Sequence, residues 1–222
     1  EKVNKLKFPN APLPEQKKIA QILSTWDQAI ELKEKLIEEK KEQKKGLMQK
    51  LLTGEVRLPG FDGEWEEVRL GEVSDIKTGD KNNEDKVENG KYPFFVRSEE
   101  IERIDSYSYD GEAILVPGDG RIGVIYHYIN GKFDYHQRVY KISDFINETS
   151  GKYVYYYLKQ FFKRQAMKYT AKATVDSLRM PMLTEMPILI PKSLQEQKAI
   201  AKILTTADKE IDLLNQELEQ LK

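Results

Sequence analysis

The sequence predicts an α+β fold, in which a compact mixed domain is flanked by two long coiled-coil helices. A helical phrase occurs near both ends: EQKKIAQILSTWD begins at Glu15 and EQKAIAKILTTAD begins at Glu196. Between residues 13–32 and 194–213, 12 of 20 aligned residues are identical without a gap. The section between the repeats contains short β-like runs separated by turns, which is typical of a folded α+β domain. The chain therefore repeats one helical unit around a different central domain.

The first long helix is predicted from Pro14 to Leu52. Pro14 suits a first helical turn, Glu15 adds a favourable acidic charge there, and no further proline occurs before Pro59. Residues at alternating spacings of four and three form a heptad seam that three lysines interrupt. The apolar members of this helix-pairing seam are Ile19, Leu23, Trp26, Ile30 and Ile37, and the lysines are Lys33, Lys40 and Lys44.

The second repeat keeps the same seam. A charged helix with one narrow apolar seam is not stable alone and requires a partner helix. The repeats can pair with each other inside one chain, or with copies in a second chain as a homodimer, and the pattern leaves both arrangements open. The predicted pairing residues of the second helix are Ile200, Leu204, Ile211, Leu214 and Leu218.

The central section is predicted to form a compact α+β domain. A turn-rich stretch, TGEVRLPGFDGEWEEVRLGEV, leads into it, and Trp65 is expected to pack there. A helix is predicted over 150–169, and turns are predicted at GDKNNED and INGK. The predicted strands are Val73–Lys77, Phe94–Arg97, Ala113–Val116, Val124–Tyr128, Arg138–Ile142 and Met186–Ile190.

Composition argues against several classes of protein. The 222 residues include no cysteine and two histidines, His127 and His136, so disulfides and a multi-histidine metal site are not expected. No apolar run approaches the ~20 residues that span a bilayer, and no secretory leader is recognisable. We therefore expect a cytoplasmic protein with no membrane partner.

The net charge of −1 conceals an uneven distribution of charge. Residues 64–119 contain 16 acidic and 7 basic residues, whereas residues 120–190 contain 11 basic and 5 acidic residues. Such asymmetry within one domain suggests a face that meets an anion. The alternative is a dipolar surface without a partner.

The segment VPGDGRIGV has the G-x-G-x-x-G spacing of nucleotide-binding loops at Gly118, Gly120 and Gly123. A β-like run follows it, so the helix N-terminus that binds pyrophosphate in a Rossmann fold is missing, and no kinase catalytic motif accompanies it. A tight β-turn with glycines at positive φ is the better interpretation. Walker, zinc-protease and serine-hydrolase motifs do not occur in the sequence, and we predict neither enzymatic activity nor a cofactor.

A basic and aromatic segment extends from Lys152 to Arg179, with seven basic residues and one acidic residue. On a helix, the aromatic residues would pack on the sheet and the lysines would point outwards, toward phosphates. Ordinary solvated surface is the alternative for these lysines. The phosphate-contact candidates are Lys159, Lys163, Arg164, Lys168 and Lys172.

Two polar clusters carry side chains that suit base recognition. DYHQRVY contains His136, Gln137 and Arg138 at a predicted strand entrance, and Gln and Arg match the major-groove edges of adenine and guanine. Strand alternation predicts that either Gln137 or Arg138 lies in the core. The polar loop KATVDSLR and an Asn-rich turn provide further candidates. These are Thr174, Ser177, Arg179, Asn82 and Asn83.

The chain combines the helical repeats with the segments GLMQKLLTGEVRLPGF, EWEEVRLGEV, HQRVY and KATVDSLR. On these features it resembles the DNA-specificity subunits of type I restriction–modification systems over essentially its whole length. In that family two target recognition domains alternate with two conserved helical regions, and each recognition domain reads half of a bipartite site. The resemblance implies a non-catalytic protein that binds double-stranded DNA. It also implies docking of modification (methyltransferase) subunits and of a restriction (motor and nuclease) subunit.

This sequence contains one recognition domain, so the resemblance implies a half-length subunit. Residues 1–13 are predicted to be the exit-strand remnant of a preceding recognition domain, and 14–58 the first conserved helix with its exit turn. Residues 59–191 form the predicted target recognition domain, and 192–222 form the second conserved helix. Two copies that pair through the helices would reconstruct a palindromic bipartite reader. A coiled-coil scaffold that binds only protein is the alternative.

Overall fold

The computed structural model describes residues 11–146, 148–169 and 177–222. The predicted exit-strand remnant therefore lies almost entirely outside the described residues. The described residues form two compact units, one comprising those up to Lys45 together with Thr206–Lys222, and the other comprising those within Gly46–Thr205. The long helices α1, Leu13–Leu52, and α5, Leu194–Leu221, each contribute to both units.

In the first unit, α1 and α5 are antiparallel. The Trp26 indole Nε1 donates to the Leu221 carbonyl oxygen at 2.7 Å, at the end of α5. Further along α1, Ile37 is buried, and Ile30 is intermediate in exposure. On α5, Ile211 and Leu218 are buried and Leu214 is intermediate. These positions share the seam because heptad spacing keeps one stripe of each helix facing its partner.

The three lysines that interrupt the α1 seam each meet an acidic residue of α5. The Lys33 ammonium lies 2.7 Å from Glu217, the Lys40 ammonium lies 2.6 Å from Glu210, and Lys44 pairs with Asp208. The lysine stems cover the apolar seam while their charged ends reach the flank of the opposite helix. The interruptions therefore select α5 as the partner of this part of α1.

The start of α1 differs from the rest of the helix. Its predicted seam residues Ile19, Leu23 and Trp26 are 47%, 58% and 52% exposed. The corresponding residues of the second repeat, Ile200 and Leu204, are fully buried in the second unit. The same sequence pattern is therefore covered in one copy and exposed in the other.

The second unit is built on a mixed sheet. Within the described residues, six strands lie in the order β2-β7-β5-β6-β3-β4, and all neighbours are antiparallel except β3 and β6. A separate antiparallel pair joins β1 and β8. The strands are β1 Trp65–Arg69, β2 Asp75–Thr78, β3 Tyr92–Phe95, β4 Ile101–Ile104, β5 Tyr109–Pro117, β6 His127–Tyr135, β7 Val139–Ser143 and β8 Pro187–Pro191. The remaining helices are α2 Leu70–Val73, α3 Gly151–Ala166 and α4 Met180–Thr184.

The centre of the sheet is buried on both faces. Ile114 and Val116 of β5 pack in the cluster that contains Leu158 and Phe162 of α3. Leu115 points to the other face, where it packs in a second cluster that includes Phe133. A strand buried on both faces needs a continuous apolar run, and β5 has one in Ala113–Val116.

The long helices complete this core. Met48, Leu51 and Leu52 at the end of α1 pack in the same cluster as Ile200 and Leu204 at the start of α5. The core of the second unit thus includes the two helix ends.

Two buried polar residues at the start of α5 attach the helix to the domain. The Glu196 carboxylate is buried and accepts two hydrogen bonds from Arg57, at 2.8 and 3.0 Å. The Gln197 amide accepts from the Ser150 backbone N–H and donates to the Pro191 carbonyl oxygen, both at 2.8 Å. Because Ser150 is the N-cap of α3, Gln197 links the starts of α3 and α5.

The predicted fold class is confirmed, but several predicted elements differ from the structure. Strand β1 was expected to be part of a turn-rich exit, although Trp65 packs on the core as predicted. The strand β4 was not predicted, and the run predicted as a strand over Val124–Tyr128 becomes regular only from His127. The prediction of a turn at INGK is wrong, because residues 129–132 lie inside β6 and pair with β5, with Gly131 opposite Gly111.

Replacing Glu196 by Gln is expected to lower the free energy of unfolding by about 2 kcal/mol, because the Arg57 guanidinium loses a charged, buried acceptor. Urea denaturation at neutral pH measures the change. Glu15→Gln is the matched control, since Glu15 holds the same place in the first repeat and is exposed. Equal effects of the two substitutions would contradict the buried-pair interpretation.

Candidate nucleic-acid interface

The turn between β6 and β7 presents two predicted base-reading side chains. The Val139 N–H donates to the His136 carbonyl oxygen at 2.9 Å, which closes a tight turn with Gln137 and Arg138 at its tip. Both tip residues are exposed. The expectation that strand alternation buries one of them is wrong, because both lie in the turn and precede β7.

His136 supports this turn from below. Its side chain is buried, and its Nδ1 accepts a hydrogen bond from the Arg138 backbone N–H at 2.9 Å. Burial lowers the pKa of His136, and the nearby Arg97 and Arg138 lower it further, while Asp119 opposes them. The Nδ1 atom of His136 is therefore used within the turn, and the predicted role of His136 in base contact stays a prediction.

The loop after β2 brings Asn82 to the same turn. The Gln137 backbone N–H donates to the Lys81 carbonyl oxygen at 2.8 Å, and the Gln137 side-chain amide donates to Asn82 Oδ1. Asn82 itself is fixed by its backbone N–H, which donates to an Asp85 carboxylate oxygen at 2.7 Å. Asn83 begins a short 3₁₀ turn beside it.

The glycine-rich loop forms the third edge of this surface. The Gly118 N–H donates to the Arg138 carbonyl oxygen, and the Gly118 carbonyl oxygen accepts from the Leu178 N–H, both at 2.7 Å. Gly120 and Gly123 have φ of 77° and 70°, as a tight turn requires. The loop therefore contributes a turn, not a nucleotide cradle.

Ser177 and Arg179 are held against this loop. Ser177 forms an isolated antiparallel bridge with Asp119, and Arg179 precedes α4; both are exposed. The predicted candidates Thr174 and Lys172 lie outside the described residues.

The structure adds charged residues that the sequence patterns did not reveal. A carboxylate oxygen of Asp119 lies 3.3 Å from the Arg97 guanidinium and 3.8 Å from that of Arg138. Arg121 pairs with Glu99 at 2.9 Å. No periodic pattern connects Arg97, Asp119 and Arg138, because the three come together only when β3, β5 and the β6–β7 turn assemble.

A surface cavity of about 370 Å³ opens beside these residues. Its lining residues are Asn83, Lys86, Val96, Arg97, Ser98, Glu102, Asp119 and Gly120. Asn83 therefore faces a concave part of the surface.

The basic residues of α3 divide between two sides of the helix. Lys159 and Lys163 are exposed and share one stripe, at a spacing of four residues. A side chain at position 123 would contact Lys163, so this stripe adjoins the glycine-rich loop. Arg164 instead lies 5.8 Å from the Phe161 ring and lines a separate cavity with Leu52. Lys168 is exposed in the 3₁₀ turn after α3.

In the described parts of the chain, no cluster of three or more His, Asp or Glu side chains is arranged to hold a metal ion. Among these residues no helix is long and apolar enough to cross a membrane.

The mixed sheet with its long helices matches solved specificity subunits in fold. A type I restriction–modification S subunit from M. genitalium superimposes with a TM-score of 0.73 at 23% identity, covering 94% of this chain and 58% of that chain. The HsdS subunit of Thermoanaerobacter tengcongensis superimposes with a TM-score of 0.58 at 20% identity, covering 96% of this chain and 56% of that chain. A third solved structure is described as the structural basis of complex assembly and conformational transition of the type I R-M system. It superimposes with a TM-score of 0.60 at 20% identity, covering 95% of this chain and 55% of that chain.

The sequence comparisons identify the family. The family model for the type I restriction modification DNA specificity domain matches residues 62–222. The EcoDI specificity subunit of Escherichia coli is 28% identical over 158 residues, 71% of this chain and 34% of the relative. The MjaVIII specificity subunit of Methanocaldococcus jannaschii is 29% identical over 251 aligned positions, 97% of this chain and 58% of the relative. The chain belongs to the type I restriction–modification DNA specificity family and spans between about one third and three fifths of these relatives.

Acidification is expected to weaken the fold through the histidines. Burial lowers the pKa of both His127 and His136, so the unfolded chain binds protons more readily than the folded chain. Their contribution to stability is complete above pH ~6.5 and is lost as the pH falls through the lowered folded-state pKa. His136→Asn keeps an acceptor for the Arg138 N–H and removes one of the two titrations. Urea unfolding between about pH 7.5 and 5 should show a shallower decline for this variant, and an unchanged decline would contradict the assignment.

Proposed function

We propose that this chain is a sequence-specific DNA-binding module that reads one half of a bipartite site in the major groove. The observation that carries the proposal is the convergence of three loops, joined by backbone hydrogen bonds, beneath one polar surface. Its exposed side chains include Asn82, Gln137, Arg138, Ser177 and Arg179. Amides and guanidinium groups are the side chains that distinguish base edges in the major groove.

The two arginines of this surface, Arg97 and Arg138, suit contact with a polyanion. Arg97 and Arg138 share the single carboxylate of Asp119, which leaves one positive charge uncompensated among the three groups. Arg138 retains 62% exposure of its side chain, so its guanidinium is accessible to guanine O6 and N7. Lys159 and Lys163 beside the glycine-rich loop suit phosphate contacts that position the module on the duplex.

The proposal extends to partners. The relatives are named as specificity subunits of type I restriction enzymes, and one of the matching structures concerns assembly of the type I R-M system. We infer that this chain likewise docks modification and restriction subunits and contributes sequence recognition rather than catalysis.

A second copy of this chain is the proposed partner of the exposed start of α1. Leu13, Ile19, Ile22, Leu23 and Trp26 are between 47% and 63% exposed, and they form an apolar stripe of about three to four helical turns. A second copy offers the same stripe, so two antiparallel segments cover each other in a two-fold symmetric contact. Such a dimer presents two recognition domains to a palindromic bipartite site.

A coiled-coil scaffold that binds only protein remains the competing function. The two functions differ in their response to salt, because DNA binding that releases counterions weakens steeply as salt rises. The convergence of amide and guanidinium groups on one surface favours DNA, since a scaffold does not require it.

The central test is selection from a random duplex library with the full chain, followed by affinity measurements on the enriched sequence. Arg138→Ala should cost about 1–3 kcal/mol on the enriched site and relax one base position, whereas Lys163→Ala should weaken binding to all sequences alike and reduce the salt slope. Absence of any enriched sequence, together with salt-independent binding, would contradict the proposal.

The dimer is tested by light scattering at micromolar concentrations. Leu23→Glu places a charge in the exposed stripe and should shift the chain to monomer, because a buried unpaired carboxylate opposes association. Leu32→Glu is the matched control: Leu32 is 67% exposed but lies off the seam, and its replacement should leave the mass unchanged. A wild-type chain that is monomeric throughout would exclude the dimer.

A further inference from the structure

Two side-chain amides that are far apart in sequence form one unit at the centre of the polar surface. Asn82 and Gln137 are separated by 55 positions, yet the Gln137 amide nitrogen donates to Asn82 Oδ1. Both residues are exposed, so the pair faces solvent.

The backbone on each side holds this pair in place. The Gln137 N–H donates to the Lys81 carbonyl oxygen at 2.8 Å, and the preceding His136 N–H donates to the Phe95 carbonyl oxygen at 2.9 Å. The Asn82 N–H donates to Asp85 at 2.7 Å. The two side chains are therefore preorganised, which reduces the entropy lost when they bind a ligand.

The hydrogen bond between the amides determines what the pair can offer. Each carboxamide has one oxygen acceptor and one amino group with two N–H donors, of which the Gln137 amino group uses one in this bond. Once the Gln137 nitrogen has bonded to the Asn82 oxygen, the Gln137 oxygen and the Asn82 nitrogen remain for a ligand. Reversing both amides exchanges the two roles and again leaves one acceptor beside one donor.

Among the base edges in the major groove, only adenine presents the complementary pattern. Adenine has the N7 acceptor next to the N6 amino donor, whereas guanine has two acceptors, O6 and N7. Cytosine offers a donor alone, and thymine offers an acceptor beside a methyl group. With guanine, the free oxygen of the amide pair would face guanine O6, and two acceptors repel.

We infer that Asn82 and Gln137 together read a single adenine, with Gln137 Oε1 accepting from N6 and Asn82 Nδ2 donating to N7. This inference rests on the proposed DNA-binding function and specifies one base of the half-site. Asn82 then becomes a specificity-determining residue equal to Gln137, although it lies in a turn on a different loop.

A shared base has a measurable signature. Asn82→Ala and Gln137→Ala should each relax the same base pair, and the double variant should lose little more than either single variant. Residues that read separate bases would relax two positions with additive losses.

The experiment uses the full chain and the duplex enriched in the selection. Each adenine in the half-site is replaced in turn by 7-deazaadenine, which lacks the N7 acceptor. One position should lose about tenfold in affinity with the wild-type chain, because a good bidentate base contact contributes roughly that factor or more. Asn82→Ala should abolish that penalty, whereas Arg138→Ala, the matched control on the same turn, should retain it.

The outcomes separate this inference from the proposed function. The inference that Asn82 and Gln137 read one adenine is overturned if the 7-deazaadenine penalty persists in Asn82→Ala. It is also overturned if Asn82→Ala and Gln137→Ala relax different base pairs. Both outcomes leave the proposed DNA binding intact. Absence of any enriched sequence overturns both. Unfolding midpoints equal to wild type show that the variants retain the fold.

Discussion

The structure depends on the packing of the ends of the two long helices in the core of the second unit. At the end of α1, Met48, Leu51 and Leu52 pack in that core. Near the start of α5, Ile200 and Leu204 pack in the same core. Burial of side chains of this size stabilises by about 1.5–3 kcal/mol each, so the helix ends are integral to the domain. The buried carboxylate of Glu196 also fixes the position of the first turn of α5, because it accepts two hydrogen bonds from Arg57.

Backbone hydrogen bonds fix the loops of the polar surface on that core. The β6–β7 turn is joined by backbone hydrogen bonds to the loop after β2 and to the glycine-rich loop. These bonds hold the side chains of the three loops at fixed positions relative to one another. His136 is the link between core and surface: its ring is buried, yet it accepts from the N–H of Arg138. The exposed side chains of the polar surface are thus positioned by buried neighbours.

The sequence predicted the elements that depend on local periodicity and failed where pairing partners are distant. The extent of α1, predicted over 14–52, differs by one residue from the observed helix, since a long heptad pattern without proline determines it. Strand β1 was missed because Trp65–Arg69 becomes a strand only through pairing with β8, more than 100 residues away. Gln137 and Arg138 were recognisable from their chemistry. Arg97 and Asp119 were not, because only the folded sheet brings them together.

The duplicated helices differ in the residues that form their seams. Lys33 and Lys40 of α1 stand where Leu214 and Leu221 stand in α5, and each lysine meets an acidic residue of α5. Two copies of this lysine-bearing stretch would repel each other if aligned, so it pairs with α5 and disfavours pairing with itself. The start of α1 has no lysine on its seam, and the same repulsion does not operate there. Charge therefore distinguishes a segment of α1 that pairs with α5 from a segment whose apolar stripe is exposed.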